Sequence, residues 1–166
     1  MMNHFHESET LNPLDGVEEM LHDHDWEFVR PRHDELYLQV TGKRGTYQIS
    51  FLWQEEFGAL QFFCEYDMLL PDPHGPVVAK TLQTVNRTLW LGHFDIMPET
   101  RQPCFRHTSL LSGNPIDTTA ANVRDLIDIG LSECERHYPL FSLLHQEKEI
   151  DETALAFATC ETVGRA

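Results

Sequence analysis

Three consecutive segments alternate apolar and polar side chains with a period of two, and their spacing admits one pairing register. Leu36, Leu38 and Val40 alternate with Tyr37, Gln39 and Thr41. Gly42-Lys43-Arg44-Gly45 then supplies a turn signal. Tyr47, Ile49, Phe51 and Trp53 alternate with Thr46, Gln48, Ser50 and Leu52, and residues Glu55 to Gly58 turn the chain again. Leu60, Phe62, Cys64, Tyr66 and Met68 follow, against Gln61, Phe63, Glu65 and Asp67. Placing Thr41 opposite Thr46 pairs Val40 with Tyr47, Leu38 with Ile49 and Leu36 with Phe51. Placing Gln54 opposite Ala59 pairs Trp53 with Leu60, Phe51 with Phe62, Ile49 with Cys64 and Tyr47 with Tyr66. All these pairs share one face. A slip of one residue would bury Gln48 and Ser50 instead, so burial specifies the register. The segments predict an antiparallel meander, with one further strand starting at Trp26 and Phe28.

The flanking sequence reads as helices and a second strand pair. Asn12-Pro13 opens a helix, with Asn12 as cap, Pro13 in the first helical position and Asp15 in the first turn. Leu14, Val17 and Leu21 share its inner face, and it stops near His24-Asp25. After Pro71 to Pro76 a second helix is expected, with Val78, Leu82, Val85 and Leu89 as its core stripe and Gly92 as its stop. Residues 93–97 and 104–111 predict two strands; Leu110 and Leu111 disagree on which face is buried. A loop at Ser112 to Pro115 precedes a long helix carrying Val123, Ile127, Leu131, Cys134 and Tyr138 on one stripe. Pro139 is expected to end or kink it. Residues 151–161 predict a last short helix. The expected fold class is α+β: an antiparallel sheet of meander plus strand pair, with helices packed on one face. Residues 1–11 read as a flexible leader and 12–166 as a single domain.

With 27 acidic and 12 basic residues the formal charge is −15. Nucleic-acid binding relies on clustered lysine and arginine, and no basic run exists here, so nucleic acid and anionic lipid are poor partners. The acidity serves solubility first, with attraction to a basic partner as the functional reading. No apolar run approaches the roughly 20 residues of a membrane helix. No charged-then-apolar leader is visible. Cys64, Cys104, Cys134 and Cys160 form no C-x-x-C pair, and a reducing cytoplasm is the expected setting.

Nucleotide-binding and nucleophile-elbow glycine motifs are absent. Among the ten histidines, His4/His6 and His22/His24 are the closest pairs, the second flanked by Asp23 and Asp25. Neither has zinc-like spacing, and residues two apart on a helix point to different sides, so no metal site is expected. A metal-responsive regulator built on this His-rich third is the weaker alternative. His93 and Asp95 share a strand face. With Arg106 and His107 they form a second alternative, a small-ligand or enzymatic pocket. Cys104 has Arg101 and Arg106 nearby, a weak signal for an activated thiol. No catalytic residue, cofactor or metal ligand is assigned. The remaining lead is apolar side chains outside the core pattern: Leu52 and Phe63, diagonal neighbours on the polar sheet face, Phe57 at a turn tip, and Phe157 in the tail. If they are exposed together, a protein partner or second copy would cover them.

Several segments carry a resemblance: NPLDGVEEMLHDHDWEF, YQISFLWQEEFGALQFFCEYDM, VNRTLWLGHFD, FRHTSLL, LSECERHYPLFSLL and ETVGRA. LWLGHFD and ECERHYPLF are the most specific. Together the six segments span most of residues 12–166, and the chain resembles the YbjN family of bacterial proteins, described as sensory transduction regulators. The resemblance implies an α+β fold similar to type III secretion chaperones, which bind partner segments along their surface and commonly dimerise. The family has no established catalytic residues to carry over. The expectation is a non-enzymatic regulatory or chaperone-like module, homodimeric, with a protein partner.

Overall fold

In the computed structural model the described residues are 12–111, 116–146 and 152–163. The leader 1–11 and the loop expected at 112–115 lie outside them. In chain order the elements are α1 (Pro13–Asp23), β1 (Phe28–Arg32), β2 (Glu35–Thr41), β3 (Thr46–Gln54), β4 (Ala59–Tyr66), α2 (Pro76–Asn86), β5 (His93–Ile96), β6 (Pro103–Leu110), α3 (Ile116–Gln146) and α4 (Glu152–Val163). The six strands form one antiparallel sheet in the order β1-β2-β3-β4-β6-β5.

The meander has the register that the alternation dictates. Thr41 lies opposite Thr46, Leu38 opposite Ile49, Phe51 opposite Phe62 and Tyr47 opposite Tyr66. Leu36, Tyr47, Ile49, Phe51, Phe62, Cys64, Tyr66 and Phe105 are fully buried on one face. Tyr47 and Tyr66 meet edge to face at 5.4 Å between ring centroids, and Phe62 meets Phe105 at 6.3 Å. Such aromatic pairs add about 0.5–1.5 kcal/mol beyond area burial.

Helix α3 lies on this face. Gly130 makes the approach possible, since a Cβ there would sit 2.7 Å from the Phe62 ring. The β2–β3 turn docks further along the same helix. Glu135 accepts hydrogen bonds from the Tyr47 hydroxyl at 2.8 Å and from the Arg44 amide. The Tyr66 hydroxyl donates to the Cys134 carbonyl at 2.7 Å. A side chain at Gly45 would meet the Tyr138 ring, and one at Gly42 would displace the Glu135 carboxylate, so both glycines ease close docking.

Helix α1 is capped as its sequence predicts: the Asn12 side chain accepts from the Leu14 amide at 2.9 Å. Its other end turns through Asp25, at φ 55, and the Trp26 amide donates to the Leu21 carbonyl. Trp26 therefore belongs to the end of α1, and β1 starts at Phe28.

Three further expectations are corrected. Helix α2 ends at Asn86, before Leu89, and Thr81 rather than Leu82 is its third buried position beside Val78 and Val85. Gly92 is accordingly no helix stop; at φ 65 it turns the chain into β5. Pro139 does not end α3, which continues to Gln146. Beyond the proline, Leu140, Phe141 and Leu144 are all buried. At roughly 1.5–3 kcal/mol per buried side chain, they outweigh the ~3 kcal/mol that an interior proline costs.

Candidate functional site

The sheet has a second face, and strand pairing fixes what lies on it. One row crosses five strands: Tyr37 opposite Ser50, Ser50 opposite Phe63, Phe63 opposite Arg106, and Arg106 opposite His93. The next row holds Gln39, Gln48, Glu65, Cys104 and Asp95. At the row's centre the Arg106 guanidinium lies 5.1 Å from the Phe63 ring centroid and donates to Asp95 at 2.9 Å. Phe63 is therefore only 7% exposed. It sits on the expected face but is covered, and it offers no free contact surface. The arginine does the covering, as a cation over an aromatic ring.

Toward the β3–β4 turn the same face becomes apolar. Leu52 is half-buried, its diagonal neighbour Ala59 is buried, and Leu110 lies directly opposite Ala59. Leu110 is 76% exposed. Phe57, in the 3-10 turn Glu55–Phe57 that links β3 to β4, is 65% exposed. The structure thus places Leu52 and Leu110 at one end of the open face, with Phe57 exposed in the adjoining turn. Phe157 is exposed too, but on α4, which packs on α3 away from this face. The four apolar candidates do not form one patch.

The pocket imagined around His93, Asp95, Arg106 and His107 does not assemble. His93, Asp95 and Arg106 share the open face. His107 lies opposite Phe62, so it points to the helix side. Burial and the neighbouring His93 hold its imidazole below the usual value. The Asp95–Arg106 ion pair is partly exposed. Two clefts lie elsewhere: about 980 Å³ beside α1, β1 and β2, and about 540 Å³ between α2 and α4.

His22 and His24 face different partners. His22 packs edge-on against Phe28, while His24 Nδ1 bonds to the Met20 carbonyl and its Nε2 meets Arg124. Among the described residues no three His, Cys, Asp or Glu side chains group as metal ligands. His4 and His6 lie outside those residues. Cys64, Cys104 and Cys134 are buried and unpaired. Burial, and then Glu65, push the Cys104 thiol far up, overriding the smaller effect of Arg106. Cys104 is thus not an activated thiol. The side chain of Cys160 lies outside the described residues.

One buried imidazole went unnoticed in the sequence. His137 is 1% exposed, donates from Nδ1 to the Glu133 carbonyl at 2.9 Å, and meets the Phe94 ring edge-on. Burial holds it below its usual 6.5. The α3 periodicity through Cys134 and Tyr138 placed it near the core, but no motif marked it.

The fold and this face define an α+β protein: an open six-stranded antiparallel sheet with helices on one side and a mixed polar and apolar face on the other. Residues 13–143 match the family model YbjN, described as "Putative bacterial sensory transduction regulator". The chain belongs to the YbjN family. A solved structure, "Crystal structure of YbjN, a putative transcription regulator from E. coli", is similar in fold, with a TM-score of 0.53 at 16% identity over 75% of this chain and 91% of that one. No curated protein matches the sequence. Among the described residues no helix is long and apolar enough to cross a membrane.

Proposed function

We propose that this chain is a non-catalytic, chaperone-like regulatory protein that binds another protein through the open face of its sheet. The observation that carries the reading is the apolar end of that face, where Leu110 stands exposed near the half-buried Leu52, with Phe57 exposed in the adjoining turn. Buried aromatic and aliphatic anchors supply most of the energy of protein interfaces, with polar groups around them. Here the surround is Gln54, Gln61 and Thr108.

The same reading takes residues 12–166 as one domain acting as a homodimer in the cytoplasm. Light scattering on the purified protein tests the dimer, and a monomer mass removes that part.

The binding claim is tested with a Phe57→Ser/Leu110→Glu variant. Both positions are exposed, so folding should persist. Partners recovered from the native source are quantified for both proteins. The reading expects a specific partner that the variant loses. Equal recovery with both proteins would remove the open face as the binding surface.

A further inference from the structure

A cleft lies at the other edge of the sheet, where the strands differ in length. Strand β2 runs on to Thr41, while β1 begins opposite Leu38. The chain before β1 bends away through Asp25 and Trp26 to the end of α1. The gap left between them has a volume of about 980 Å³. The cleft straddles the edge: Phe28, opposite Leu38, lies on its helix side with the His22 ring packed edge-on against it, Tyr37 lies on its open-face side, and Trp26 is a third partly buried ring in the lining. Gln39 and Gln48 line its sheet side.

Three carboxylates complete the lining: Glu18, Asp25 and Glu27. Glu18 is paired with Arg30 at 2.6 Å. Asp25 and Glu27 are exposed and have no cationic partner among the described residues. No lysine or arginine lines the cleft. Aromatic faces carry negative charge density and attract cations, most strongly at tryptophan, and arginine is the commonest protein partner. Carboxylates beside apolar walls add a longer-range attraction. Asp25 and Glu27 repel an anionic ligand and attract a cationic side chain.

We propose that this cleft binds an arginine- or lysine-bearing segment of a basic polypeptide, with the cationic group against Trp26 and Phe28 and countered by Asp25 and Glu27. The cleft opens to solvent along the sheet edge, which suits a side chain borne on a peptide rather than a small ion held in a closed cage. The site is separate from the Leu110 end of the open face, and the inference stands whether or not that end binds a partner.

The test uses the full chain and fluorescence anisotropy with a labelled synthetic arginine–glycine peptide, at about 0.15 M salt where exposed charges are largely screened. The Asp25→Asn/Glu27→Gln variant should bind at least about tenfold more weakly. Asparagine tolerates the positive φ at position 25, so this variant keeps its backbone. A Glu56→Gln/Glu99→Gln variant removes the same charge from two exposed distant positions and should bind within about twofold of the unchanged protein. Trp26→Phe should weaken binding severalfold while the matching glutamate–glycine peptide binds none of the proteins. Three results overturn the proposal: equal loss from both carboxylate pairs, which means diffuse charge attraction only; no peptide binding at this salt; or spermine binding with this variant profile while the peptide does not.

Discussion

At the scale of single residues, the polar groups inside this core set its behaviour with pH. His137 is buried and neutral, held below its usual 6.5 chiefly by burial, with the Glu133 carbonyl as its hydrogen-bond partner. The unfolded chain takes up a proton there at higher pH than the folded protein does. Stability from this site is therefore complete above about pH 6.5 and falls as the pH drops toward the lowered folded value. The half-buried His107 acts in the same direction. Glu65 acts oppositely: burial raises its carboxyl above 4.5, so it disfavours the fold as pH rises through that range. Urea unfolding at about pH 7.5 and pH 5.5 should show a loss of stability at the lower pH. His137→Phe, which cannot titrate, should shrink that difference without removing it. An unchanged difference in the variant would mean that other groups carry it.

Residue-level legibility followed strand parity. Arg106 and His107 are neighbours on one strand, so alternation already sends them to opposite faces, and the four-residue pocket was ruled out by a rule available in the sequence. Phe63 was placed on the correct face, but nothing local showed that Arg106 and Asp95, more than thirty residues away in sequence, would cover it.

Elements show where tertiary packing overrides local preference. Gly130 inside α3 looks like a weakness by helix propensity, where alanine is favoured by about 1 kcal/mol. The contact with Phe62 reverses that sign. Gly130→Ala should destabilise by roughly 1–3 kcal/mol through overpacking, measured as a lower urea midpoint with unchanged slope. A stabilised variant would show that α3 can move off the sheet at little cost. Pro139 misleads in the other direction: the helix continues because three buried side chains lie beyond it.

The sheet edges carry a further device. Among the described residues strand β5 has no neighbour on its outer side, and the Asn86 side chain bonds to both the amide and the carbonyl of Phe94, at 2.7 and 3.0 Å. It occupies the backbone groups that another strand would use. At the opposite edge, β1 holds Pro31 and an irregularity in its pairing. Asn86→Ala should cost about 1–3 kcal/mol, because buried backbone groups lose their partners, and should raise concentration-dependent aggregation in light scattering. Full solubility with unchanged stability would show that Asn86 does not guard the edge. Asn86 at β5 and Pro31 in β1 disfavour strand addition at those positions.

At the scale of the whole molecule, the meander was legible because one face is largely buried, so the period-two pattern permits a single register. The α+β class followed from that one-sidedness. The binding surface was only half legible. Leu52 and Phe57 were visible as apolar residues out of pattern, but Leu110 was hidden, since Leu110 and Leu111 offered opposite parities until pairing with Ala59 decided between them. The cleft beside Trp26 was not legible at all, because it depends on where β1 begins relative to β2. The account's central claim is that the protein works by covering the apolar end of its open sheet face with a partner protein. The most direct measurement is covalent surface footprinting of the protein in its native extract, compared with the purified chain. The account predicts protection at Leu52, Phe57 and Leu110. Equal labelling of those residues in both samples, with protection elsewhere or nowhere, would contradict it.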